Sequence, residues 1–149
     1  MLGRDYGTQN CSVARALEVV GERWSLLIVR DAFGGLRRFG QFQASLGIAR
    51  NVLAERLGRL VEAGVLERVR YCERPERFEY VLTEKGRDLH VAVAGLRQWG
   101  DRYLSEQPQA VLRRASDGTP VVAALVLAGT EALRADEVEL VVRPGSLHR

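Results

Sequence analysis

Arg50 and Asn51, followed at helical spacing by Glu55 and Arg59, are residue types that read base edges in a DNA groove. A guanidinium can donate two parallel hydrogen bonds to guanine O6 and N7, and a carboxamide can pair in the same bidentate way with adenine N6 and N7. The plainer uses are equally open: Arg50 holding only a phosphate, Asn51 only capping a helix. Arg37 and Arg38 upstream, and Arg74 and Arg77 downstream, suit phosphate contact, which needs charge and a forked donor but no particular base. Any one of them can instead pair with Glu55, Glu73 or Glu76, since exposed charge runs are commonly just solvated. A different chemistry attaches to Cys11, which stands beside the start of a helical pattern, where unpaired amides and the helix dipole favour a thiolate. Its plain use is as a small, half-buried apolar residue. Cys72 lies late in a strand pattern and reads as strand packing.

Catalysis has little to stand on. The chain holds no phosphate loop, no dinucleotide-binding glycine pattern, no metal-ligand cluster, and no Ser or Cys near a suitable His; His90 falls in a helical pattern and His148 in the tail. Its two cysteines are too few for a zinc knuckle or a disulfide scaffold. The expectation is a protein that is no enzyme and takes no cofactor or structural metal.

The elements that must position these residues follow from hydrophobic spacing. Val13, Ala16, Leu17 and Val20 recur at helical intervals, with Ser12 as the expected cap and Gly21 as a left-handed end. The run from Arg23 to Phe33 is apolar nearly all round and predicts a buried helix, stopped by Gly34-Gly35. Phe39, Phe42 and Leu46 predict a third helix, and Leu53, Leu57 and Leu60 a fourth, separated only by Gly47-Ile48-Ala49. That is a helix-turn-helix. If those leucines face the core, Arg50, Asn51, Ala54, Glu55 and Arg59 occupy the opposite arc. Beyond Gly64 the period falls to about two over Leu66–Tyr71 and Phe78–Leu82, a β-hairpin around a polar tip at Glu73–Arg77.

Thr83 then caps an expected helix of up to 21 residues, 84–104, whose apolar arc carries Leu89, Val93, Leu96 and Tyr103 with Trp99 beside them. One small domain cannot cover so wide an arc, so a partner helix is expected. Strand-like runs at Ala110–Leu112, Val121–Leu127 and Val138–Val142 predict a small β extension of two or three strands, and Gly145–Arg149 a frayed end. The fold expected is α+β, mainly α: a winged helix-turn-helix domain over 1–104 including the dimerisation helix, and an extension over 105–149.

Composition agrees. At 149 residues, 46% hydrophobic and 28% charged, the chain can bury one ordinary core. Its longest uncharged apolar stretch, Pro120–Thr130, is about half the ~20 residues of a membrane span, and no basic-then-apolar leader stands at Met1. A soluble, cytoplasmic protein without a membrane partner is expected. Residues 1–104 carry 17 basic and 13 acidic side chains, residues 105–149 carry 5 and 6, and Leu36–Phe78 alone holds 9 Arg against 5 Glu. The positive excess is therefore concentrated between the helix-turn-helix and the hairpin tip, where a winged domain faces phosphates.

These residues resemble the HxlR-type, MarR-like winged helix-turn-helix transcriptional regulators. The resemblance is carried by Cys11, by GERWSLLIVRDAFGGLRRFGQFQ from Gly21 to Gln43, by GIARNVLAERLGRLVEAGVLER from Gly47 to Arg68, and by YVLTEKGRDL from Tyr80 leading to LRQWG at Leu96–Gly100. It implies a homodimer on double-stranded operator DNA, joined through terminal helices, and a sensing thiol at Cys11 in those relatives that respond to oxidants or electrophiles. Repression is the expected sign. A noncovalent small ligand near Trp24 or Trp99 is the alternative signal, and a winged-helix protein-interaction module or a thiol redox protein the alternative class. Two departures stand out: Ala49 replaces the family's usual Ser or Thr at the start of the recognition helix, and no Cys follows Cys72.

Overall fold

The computed structural model describes Thr8 and residues 10–142; the frayed end expected at Gly145–Arg149, and His148, lie outside the described residues. The chain divides into two compact units between Arg87 and Asp88.

The first unit is built in the expected order: α1 (Ser12–Val20), α2 (Ser25–Phe33), α3 (Phe39–Leu46), α4 (Arg50–Glu62), β1 (Leu66–Glu73), β2 (Glu76–Leu82) and α5 (Glu84–Arg87). Its core is Ile28 and Val29 of α2, Phe42 of α3, and Leu53, Leu57 and Leu60 of α4, all at 0% exposure, closed by Val65 and Leu66 at the wing's root. Each such burial stabilises by roughly 1.5–3 kcal/mol. The turn between α3 and α4 is short because Gly47 takes the left-handed conformation at φ 61° while Ile48 is buried. The wing pairs antiparallel from Leu66 opposite Leu82 to Glu73 opposite Glu76, so the turn is narrower than the tip expected at Glu73–Arg77.

Two local expectations are corrected. Cys11, not Ser12, is the N-cap of α1; Ser12 is already helical. Gly21 ends that helix in right-handed geometry at φ −80°, and glycine is required there because a Cβ would stand 2.3 Å from the Leu17 carbonyl oxygen. The left-handed residue is Trp24, at φ 83°. For so bulky a side chain that conformation is strained, by about 1–3 kcal/mol.

Thr83 caps as expected, its Oγ1 accepting from the Gly86 amide at 3.1 Å. The long helix spans 84–103 in two pieces, α5 and α6 (His90–Tyr103), with Asp88 and Leu89 as turn residues between them. The first piece is pinned within its own unit, where Lys85 Nζ donates to the Ala63 carbonyl at 2.6 Å and Gly86 packs on the Val65 carbonyl.

The second unit holds α6, β3 (Ala110–Arg114), a 3-10 turn (Ala135–Glu137) and β4 (Val138–Val142), the strands pairing antiparallel from Ala110 opposite Val142 to Arg114 opposite Val138. α6 belongs here, rather than with the winged domain, because its side chains bond to the extension: Gln98 exchanges two hydrogen bonds of 2.9 Å with the Ala123 backbone. That pairing also answers for the third expected strand. Val121–Leu127 runs irregularly beyond an isolated bridge at Pro120: the Val121 amide donates to the Leu112 carbonyl at 3.0 Å, and past it the Ala123 backbone is held by the Gln98 side chain. Val122, Leu125 and Leu127 stand exposed.

Glycines of two helices give opposite expectations. A Cβ at Gly58, on the open side of α4, meets nothing within 4 Å, so Gly58→Ala should gain up to about 1 kcal/mol of unfolding free energy. At Gly86 the same atom would lie 2.1 Å from the Val65 oxygen, and Gly86→Ala should lose roughly 1–3 kcal/mol. Urea denaturation measures both; a gain at Gly86 would contradict the packing of α5 under the wing.

Candidate nucleic-acid interface

Burial of Leu53, Leu57 and Leu60 turns the other side of α4 to solvent. Arg50, Asn51, Ala54, Glu55, Gly58 and Arg59 are all exposed there. Gly58 was not among the residues expected from the sequence, although it is the next member of the i+4 series from Ala54. The N-cap of the helix is Ala49, whose side chain can accept no hydrogen bond, so the first-turn amides have no side-chain acceptor from that position. Arg50 is steadied by its guanidinium lying 5.0 Å over the Phe39 ring of α3. Asn51 does not cap the helix; that place belongs to Ala49.

Around this arc the arginines differ. Arg38 is tied to the wing, its guanidinium 4.4 Å over the Tyr71 ring and its Nε 3.5 Å from Glu79 Oε1. The Arg37 carbonyl accepts from the Tyr80 amide at 2.7 Å, and Gln41 Oε1 accepts from both the Arg37 and Arg38 amides at 3.0 Å. The loop before α3 is therefore fixed to the wing and to the helix it precedes. Among the described residues Arg37, Arg74 and Arg77 make no ion pair: Glu76 is taken by Arg70 at 3.3 Å, and Glu55 by Arg56 and Arg59, each at 3.3 Å. Free guanidinium groups thus stand at the loop before α3 and at the wing tip. Arg68 stacks 3.7 Å over Phe78 on the hairpin and, with Arg70, adds wing charge that the alternation of the strand already displayed.

Arg59, expected in the groove, stands 54% exposed but is held by Glu22 Oε1 at 2.8 Å. The same carboxylate takes Arg56 through Oε2 at 2.8 Å. Neither Glu22 nor Arg56 was expected to bear on the site; their meeting depends on tertiary structure and leaves no spacing signal.

Cys11 is exposed in the single chain, at the N-cap of α1. No capping hydrogen bond closes on its sulfur, yet the amides of Ala14 and Val13 face it and hold the thiol below its ordinary pKa. Cys72 is half-buried in β1. Leu96, Trp99 and Tyr103 of α6 are 55%, 57% and 60% exposed, Leu89 and Val93 half-buried, and no residue of that helix is fully buried. Trp24 is half-buried with Arg23 5.2 Å over its ring. Neither tryptophan lines the open depression of about 450 Å³ bounded by Glu18, Glu22, Arg59 and Glu62. No helix of the described residues is long and apolar enough to cross a membrane.

Comparison with known proteins bears on this arrangement. The family described as HxlR-like helix-turn-helix matches residues 19–108. An uncharacterised HTH-type transcriptional regulator of Mycobacterium tuberculosis, Rv3095, is 57% identical over 109 residues, 72% of this chain and 69% of its own length. Among solved structures, that of PA1607, a candidate transcription factor, is similar over 97% of this chain and 96% of its own, with a TM-score of 0.74 and 42% identity. The redox regulator HypR in its oxidised form is similar over 64% of this chain and 99% of its own, with a TM-score of 0.59 and 30% identity. With α3 and α4 forming its helix-turn-helix and β1 and β2 its wing, the chain belongs to the HxlR-like helix-turn-helix family of transcriptional regulators.

Proposed function

We propose that this protein is a cytoplasmic homodimeric repressor that seats the exposed arc of α4 in the major groove of operator DNA and releases it when Cys11 is modified. The observation that carries the reading is the arc itself: Arg50 and Asn51, types that can read bases, on the face opposite the buried leucines, bracketed by Arg37, Arg74 and Arg77, which make no ion pair among the described residues. Dimerisation is supported by the apolar load left open on α6 and by Val13 and Leu17 of α1, 66% and 40% exposed. A dimer seated on a promoter excludes polymerase without further machinery, which is why repression is the simpler sign.

The signal is read from Cys11. Its exposure and helix N-terminal amides favour the thiolate, which can attack a peroxide, forming an S–O bond as the O–O bond breaks and hydroxide leaves, or add to an electrophilic carbon. That HypR is a redox regulator on a similar fold supports this reading. A modified N-cap would repack α1, and with it the joint that sets the separation of two recognition helices.

Two outcomes are expected. Arg50→Ala and Asn51→Ala should each cost roughly 1–3 kcal/mol on a duplex selected by the purified protein while leaving random duplex nearly unaffected, whereas Arg74→Ala should weaken both alike. Equal losses on both duplexes would reduce Arg50 and Asn51 to phosphate contacts. In alkylation kinetics Cys11 should react faster than Cys72, with a pH midpoint below the ordinary thiol value of about 8.5. Cys11→Ser should then bind DNA normally and stay bound under peroxide, and wild-type protein that stays bound as well would refute the sensor.

A further inference from the structure

We propose that Arg56 is a positioning residue for DNA recognition: it sets the base-reading arc of α4 by clamping that helix to the Gly21–Trp24 turn, without itself touching DNA. The inference rests on the reading of α4 as the element that reads sequence.

Arg56 is turned away from the open arc. Its side chain is 17% exposed, against 54% for Arg59 one turn along. Its guanidinium reaches the turn between α1 and α2, Nε donating to the Arg23 carbonyl at 3.1 Å and Nη1 forming an ion pair with Glu22 Oε2 at 2.8 Å, while the same Nη1 stands 3.3 Å from Glu55 Oε1 of its own helix. Glu22 Oε1 takes Arg59 at 2.8 Å, so one carboxylate holds two points of the recognition helix one turn apart. Two directed hydrogen bonds, Arg56 Nε to the Arg23 carbonyl and Arg59 Nη1 to Glu22 Oε1, together with the Arg56–Glu22 ion pair, resist both rotation of α4 about its axis and sliding along it.

The turn is itself fixed. Gly21 closes α1 where a Cβ would sit 2.3 Å from the Leu17 oxygen, and Trp24 is held left-handed at φ 83°. A strained residue persists only where its surroundings over-determine it, which makes this turn a rigid anchor. Stability alone does not account for the choice of groups. Drawing an Arg–Glu pair out of water costs about as much as the pair returns, and an apolar side chain of similar length would serve packing equally well. What an apolar contact cannot supply is direction, and a helix that must place Arg50 and Asn51 against base edges requires it.

The experiment uses the full-length chain with Arg56→Met and Arg56→Lys, the duplex selected by wild-type protein, and a random duplex of equal length. Arg56→Met leaves Glu22 paired with Arg59, so thermal stability should stay close to wild type, while affinity for the selected duplex falls roughly 10- to 100-fold and affinity for random duplex stays unchanged. The slope of log affinity against log salt should also be unchanged, because no phosphate contact is lost. Arg56→Lys keeps one ion pair and should recover part of the preference. If Arg56→Met retains the wild-type preference, or lowers it only in proportion to lost stability, the clamp is structural and the proposal fails. A salt slope reduced by about 1, with equal losses on both duplexes, would make Arg56 a phosphate contact instead, and that also overturns it. Should wild-type protein show no preference for its selected duplex, the reading of α4 falls first and the proposal with it.

Discussion

Burial of three leucines along one side of α4 is the constraint from which the rest follows. Leu53, Leu57 and Leu60 are at 0% exposure against Ile28, Val29 and Phe42, and removing any of them from water stabilises by more than every surface ion pair in the unit is worth singly. Because a helix is rigid, fixing that side fixes the other. Arg50, Asn51, Ala54, Glu55 and Gly58 are presented to solvent by the same packing that makes the domain fold, so the proposed recognition surface and the core are two faces of one element.

Packing sets which side of α4 faces out, while polar contacts tie α4 and the loop before α3 to their neighbours. On one flank Glu22 grips Arg56 and Arg59; on the other, the Arg37 carbonyl and the Arg38 side chain join the loop before α3 to Tyr80, Glu79 and Tyr71 of the wing. Among the described residues the arginines at this surface therefore divide into those in ion pairs, Arg38, Arg56, Arg59 and Arg70, those stacked on a ring, Arg50 and Arg68, and those in neither, Arg37, Arg74 and Arg77. That division is electrostatic bookkeeping the charge count could not perform. A basic excess over Leu36–Phe78 is consistent with either use.

Much of this architecture was legible in the sequence because it rests on periodicity. The leucine spacing of α4, the Gly47 turn and the alternation of the wing all came from local pattern and all stand in the structure. The misreadings have local causes too. Ser12 has the propensity of a cap, yet it is already the first helical residue and Cys11 holds the cap position. The expected helix 84–104 is interrupted at Asp88 and Leu89, where α5 is pinned by Thr83 and Lys85, contacts that no window of apolar residues displays. Val121–Leu127 carries strand-forming residues, but its pairing with β3 stops after the Val121 amide, and Ala123 bonds to a glutamine side chain. The site was half legible: which residues share the exposed arc was a matter of geometry, whereas the Glu22–Arg56–Arg59 cluster and the left-handed Trp24 arise from long-range packing.

The central claim is that two copies present two such arcs to one DNA. Hydroxyl-radical footprinting of the full chain on a duplex it has selected tests this most directly. Two protected patches on one face of the helix, centred about 10 bp or a multiple of it apart, are the result expected of linked recognition helices. A single protected patch, or uniform protection that follows no sequence, would contradict it.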